Sequence, residues 1–135
     1  MANVLDELAT RIATTVSGTV GTNIFKSEIP AGVADASIGL IETGGLPPEK
    51  RFGTKGIDWE RPSVQFLVRG APGGYETARA TSQTIFEDMA KIETEDLSGT
   101  RYYLSDPQQE PFGLKVDEHD RPILAFNVIF TKDIS

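Results

Sequence analysis

The sequence predicts an α+β fold: a single mainly antiparallel β-sheet of about five strands, with two helices packed on one face. Three observations predict it. Two segments repeat apolar residues at steps of three and four, which is the spacing of one helix face. Several shorter segments alternate apolar and polar residues and are closed by Pro, Gly or Asp, as strands are. The order runs helix, short strand, two strands, helix, three strands, and consecutive strands of that kind pair antiparallel.

The first helix follows Asn3, a residue able to cap it, with Asp6 near the positive end of its dipole. Val4, Leu5, Leu8, Ile12 and Val16 form its apolar stripe, and Gly18 and Gly21 are expected to end it. NIFKSEIP (23–30) reads as a short extended segment. DASIGLIETGG (35–45) reads as a strand with Ile38 and Leu40 on one face, stopped by Gly44 and Gly45. Residues 46–60, LPPEKRFGTKGIDWE, have no usable period and are expected to be a loop or arm. RPSVQFLVRG (61–70) is the clearest strand, with Val64, Phe66 and Val68 sharing a face. The second helix spans 75–93 and carries Tyr75, Ala78, Ser82, Ile85, Met89 and Ile92 on one stripe. After LSG (97–99), the segments RYYLS, PFGLKV and PILAFNVIFTKD supply the remaining strands.

A chain of 135 residues, 39% hydrophobic and 24% charged, suits one soluble globular domain, here taken as residues 1–135. No apolar run approaches the roughly 20 residues of a membrane span, and the N-terminus does not read as a signal peptide. The absence of cysteine removes disulfides, thiolate metal sites and cysteine nucleophiles. The net charge of −7 argues against a duplex-binding surface, with KRFGTK (50–55) the one local basic candidate and more simply a solvated loop. The only histidine, His119, sits among Asp117, Glu118 and Asp120. A small metal-dependent enzyme could be imagined there, but adjacent residues around a tight turn fan outward and do not converge on one ion. No enzyme, cofactor or metal is expected.

The last strand is apolar on both faces. Leu124, Phe126, Val128 and Phe130 point one way, and Ile123, Ala125, Asn127 and Ile129 the other. Two helices cover one face. Leaving Ile123 and Ile129 in water would forgo roughly 1.5–3 kcal/mol each. Either the 46–60 loop covers them or another copy of the chain does, and the second option is favoured.

These segments, taken together and in order, resemble the minor capsid and tail-terminator (head–tail joining) proteins of long-tailed bacteriophages. The resemblance is carried by LDELATRIA, IFKSEIPAG with ASIGLIETGG, ERPSVQFLVRG, YETARATSQTIFEDM and DEHDRPILAFNVIF. It implies a structural virion protein assembled in the host cytoplasm. Such a protein forms a homohexameric ring at the head-proximal end of the tail tube. The ring would stop tube polymerisation and dock a head-completion protein at the head–tail junction, with DNA passing through its lumen unbound. A different connector role is the alternative. The family pattern has Gly before the Arg of the final hairpin where this chain has Asp120, so the turn is expected to persist with slightly altered geometry. Candidate contact residues are Arg51, Phe52, Lys55 and Trp59 of the 46–60 loop, Arg69 and Arg79 as partners for acids of a neighbouring copy, and Ile123 and Ile129.

Overall fold

The computed structural model describes residues 3–49 and 59–133. Helix α1, Val4–Thr15, opens with a reciprocal cap: Asp6 N–H donates to Asn3 Oδ1 and Asn3 N–H to Asp6 Oδ2, both at 3.0 Å. Val4, Leu8, Ala9 and Ile12 are buried along its inner stripe. Its end differs from the expected glycine stop. Ser17 takes the left-handed conformation (φ 54°), and Gly18 N–H returns to the Ala13 carbonyl at 2.9 Å. A Cβ at Gly18 would meet Ile24 Cδ1 at 2.8 Å, so a larger residue there would require the Ile24 side chain to shift.

Among the described residues the sheet holds nine strands: β1 Ile24–Phe25, β2 Ser37–Glu42, β3 Leu46–Glu49, β4 Trp59–Arg61, β5 Ser63–Arg69, β6 Glu93–Leu97, β7 Thr100–Pro107, β8 Phe112–Val116 and β9 Pro122–Asp133. Helix α2, Tyr75–Ala90, lies between β5 and β6 in sequence. The expectation of a mainly antiparallel sheet of about five strands is therefore corrected in number, and the sheet is mixed, β1 pairing parallel to β2 and the other pairs antiparallel.

Interruptions account for much of the excess. On one edge of β9, β4 and β5 pair in a single unbroken register, with Glu60 opposite Lys132 and Ser63 opposite Ile129. Between them Pro62 has no N–H to donate, yet its carbonyl accepts from Phe130 N at 2.9 Å. On the other edge, β7 and then β8 run antiparallel to β9, parted at 108–111. There Gln108 N–H bonds the Asn127 carbonyl and Asn127 N–H bonds Gln109 Oε1.

Three strands lie where none was expected. The 46–60 segment is not wholly a loop, since β3 and β4 pair with each other at its two ends. Strand β6, ETEDL, hides its period behind four polar residues. It is fixed by a hairpin to β7 across Ser98 and Gly99, both at positive φ (49° and 87°), the geometry of a two-residue turn.

Both helices share one core with the inner sheet face. Phe66 of β5 and Phe126 of β9 stack at 4.8 Å, and Phe86 of α2 meets Phe126 edge-on at 5.5 Å. Ala78, Ser82, Ile85 and Met89 are buried as the α2 stripe requires. Tyr75 is exposed at the first turn, and Ile92 is buried just beyond the helix end. The core also contains an ion pair, Glu7 of α1 with Lys132 of β9, that no apolar pattern announces.

Part of the outer face is closed by a segment that was not considered as cover from sequence. The segment from Lys26 to Ala36 crosses it at Gly39, where a Cβ would collide with the Ser27 carbonyl at 2.6 Å. Only glycine allows that approach. Ile29 and Val33 of this strap are half-buried, as are Ile123 and Ile129.

Candidate interaction surface

Two arginines hold the strap. Arg69, only 3% exposed, donates from Nε to the Asp35 carbonyl (3.0 Å), from Nη1 to Pro30 (3.1 Å) and from Nη2 to Ala34 (2.9 Å) and Val33 (3.4 Å). Arg121 binds Asp117 Oδ2 at 2.8 Å through Nε and reaches Asp35 Oδ1 at 3.3 Å through Nη1. Burial, and then the nearby Arg121 guanidinium, hold Arg69 below the ordinary arginine value, while Asp117 and Asp35 oppose that shift. The Arg69 guanidinium is thus engaged within its own chain.

Arg79 lies half-buried on α2 and donates to Gln83 Oε1 at 2.7 Å. Ile129 stands opposite Ser63 on one side and Asp106 on the other. Trp59, expected in a loop, is on β4 opposite Asp133 and meets the Tyr103 ring edge-on at 6.4 Å. Arg51, Phe52 and Lys55 lie outside the described residues.

The hairpin tip around His119 is built for turning. Asp117 Oδ1 accepts from the backbone N–H of His119 and of Arg121, each at 2.9 Å. Burial pushes the Asp117 carboxyl up, but those N–H groups and the Arg121 guanidinium outweigh it and hold the carboxyl below its usual value. His119 is exposed, and among the described residues no group of three or more His, Asp or Glu side chains could hold a metal ion. Asp120 sits at φ 62°, the left-handed region. Asp120→Val is expected to lose about 1–2 kcal/mol there, and Asp120→Gly to stay within about 0.5 kcal/mol of the parent. Urea midpoints of the three chains check this.

Among the described residues, large exposed apolar side chains gather in two places, on β8 and on β7. Every residue of β8 is exposed, with Phe112, Leu114 and Val116 the large apolar ones, Val116 at 62%. Tyr75 of α2, Ile123 and Lys115 line a shallow cavity beside Leu114 and Val116. No strand pairs with the outer edge of β8 among the described residues. On β7, Tyr103 and Leu104 are exposed, Leu104 at 52%, next to Trp59.

A family model described as the bacteriophage tail terminator protein matches residues 11–134. The chain belongs to that family. No curated protein matches it. The family is one of structural phage proteins and not an enzyme family, which makes this chain a tail component of the virion. No helix among the described residues is long and apolar enough to cross a membrane.

For a structural tail protein an exposed apolar surface is the candidate for contact with other chains, and there the sequence is least explicit. PFGLKV reads as a strand, with nothing to say whether another element covers it. The signal lies in Phe112, Leu114 and Val116, three large apolar residues at a spacing of two on a strand with one charge. What the pattern does not carry is whether a neighbouring element buries them.

Proposed function

We propose that copies of this chain close into a homohexameric ring on the head-proximal end of the phage tail tube. The ring stops tube polymerisation and offers its other side to a head-completion protein. The family match over residues 11–134 carries this reading. The exposed apolar patches on β7 and on β8 support it, since large apolar side chains gathered on a surface mark contact with another chain. A cyclic contact saturates itself when the ring closes, which suits a part that must end a polymer. Trp59, Arg79, Ile123 and Ile129, with Arg51, Phe52 and Lys55, are proposed contact residues. The net charge of −7 suits a lumen through which DNA slides without sticking.

The experiment is to make particles without this chain and measure tail lengths by electron microscopy. Tails of abnormal length are expected. Tails of normal length that fail to join heads would replace the terminator role with another head–tail connector role.

A further inference from the structure

The chain exposes two apolar patches with different charged surroundings, well separated along β9. The first is the β8 edge, with Phe112, Leu114 and Val116 beside Tyr75 and Ile123. The charged residue lining its cavity is Lys115. Farther along α2 stand Arg79 and Glu76. The second is the outer side of β7, where Tyr103 and Leu104 lie with Trp59. Its surroundings are acidic. Asp133 accepts the Tyr103 hydroxyl at 2.8 Å, Glu93 is paired opposite Leu104, and Asp106 is exposed two residues further along β7. The nearby cations are engaged within the chain: Arg101 by Asp96 and the Thr94 carbonyl, and Arg61 of β4, two residues from Trp59, by the Pro47 carbonyl.

The register gives the separation. Leu104 stands opposite Thr131, and Val116 opposite Pro122. Nine residues of strand at about 3.3 Å each put them roughly 30 Å apart along the sheet. One copy therefore cannot bring its own patches together, but two copies can.

We infer that the β8 edge of one copy docks against the outer side of β7 on the next copy. Each copy thus uses two different surfaces in a head-to-tail contact. This inference rests on the ring reading above and names the surfaces that would close it. Apolar side chains meet at the centre of the contact, and Lys115 faces the acids around Tyr103 and Leu104. That pairing favours the head-to-tail arrangement over two β8 edges meeting, which would set Lys115 against its own copy. Other edges are less inviting. Strand β6 carries Glu93, Glu95 and Asp96, and β3 carries Pro47 and Pro48, the residues that keep an edge from pairing.

The test uses two charge variants of the full chain, Leu114→Glu on β8 and Leu104→Lys on β7. Both positions are exposed, so unchanged melting temperatures confirm folding. Assembly is read by native mass spectrometry and by ring counts on purified tail tubes. Each variant alone is expected to lose roughly tenfold or more in assembled species. The carboxylate introduced on β8 would face the acids of β7, and the ammonium introduced on β7 would face Lys115. An equimolar mixture is expected to restore rings of alternating copies, since the two altered surfaces complement each other and the two unaltered ones still fit. The inference is overturned if both variants assemble like the parent, which leaves the ring itself intact. It is also overturned if Leu104→Lys assembles alone while the mixture shows no rescue, the outcome of β8 meeting β8. A parent chain that stays monomeric on tubes overturns the ring reading and this inference with it.

Discussion

Lys132→Met is expected to lower stability by about 3–5 kcal/mol, the usual cost of removing one partner from a buried ion pair. Lys132 is 1% exposed, with Nζ 3.4 Å from Glu7 Oε1 and 3.5 Å from Glu60 Oε2, and it lies 5.6 Å from the centre of the Tyr102 ring. Glu7, equally buried, accepts the Tyr102 hydroxyl on Oε1 at 2.8 Å, and its Oε2 has no hydrogen-bond partner among the described residues. Burial, and then the hydrogen bond and charge of Glu7, push the Tyr102 phenol far up, so it remains a donor at ordinary pH. Without Lys132 the Glu7 carboxylate would keep the phenol and lose its cation. The double variant Lys132→Met/Glu7→Gln should recover most of the loss, because the amide still accepts from Tyr102 and the one carboxylate left without Lys132, Glu60, is partly exposed to water. Urea unfolding of the two single variants, the double variant and the parent measures the coupling. Additive losses would show that the two charges do not depend on one another.

Arg69→Met is expected to cost about 2–3 kcal/mol and to loosen the strap over residues 30–36. Four backbone carbonyls lose their shared donor. Several strap residues are exposed, so water can reach some of those carbonyls and the cost stays below the full sum of four bonds. Amide hydrogen exchange should rise in 30–39 well before global unfolding, with the rest of the sheet unchanged. The measurement also separates two roles for this residue. If Arg69 served mainly to pair with an acid of a neighbouring copy, the isolated chain would keep its stability and its exchange pattern.

The elements that could be read from sequence were those whose period matched their burial. Helix α2 and strand β5 are examples: Ala78, Ser82, Ile85 and Met89 step along one stripe, Val64, Phe66 and Val68 alternate, and all are buried. Strand β6 failed that test because its residues are mostly polar and one face of an edge strand meets water. Its pairing is decided by the Ser98–Gly99 turn and by β7. The ends of the 46–60 segment failed for a related reason. Pro47, Pro48 and Pro62 break the apparent period while the register of β4 and β5 against β9 continues past Pro62. For the candidate interaction surface, the alternation of Phe112, Leu114 and Val116 could be read, and its exposure could not.

By itself the sequence determined the two helices, the alternating strands and the capped start of α1, because capping and periodicity act over a few neighbouring residues. It also determined the family, whose match runs through 11–134. Only the tertiary structure decided what became of the charges and of the second sheet face. Glu7 and Lys132 are 125 residues apart in the chain, and Arg69 reaches carbonyls about 35 positions away. No local pattern encodes such pairs. Their burial depends on which elements pack together, and that follows from filling the common core around Phe66 and Phe126.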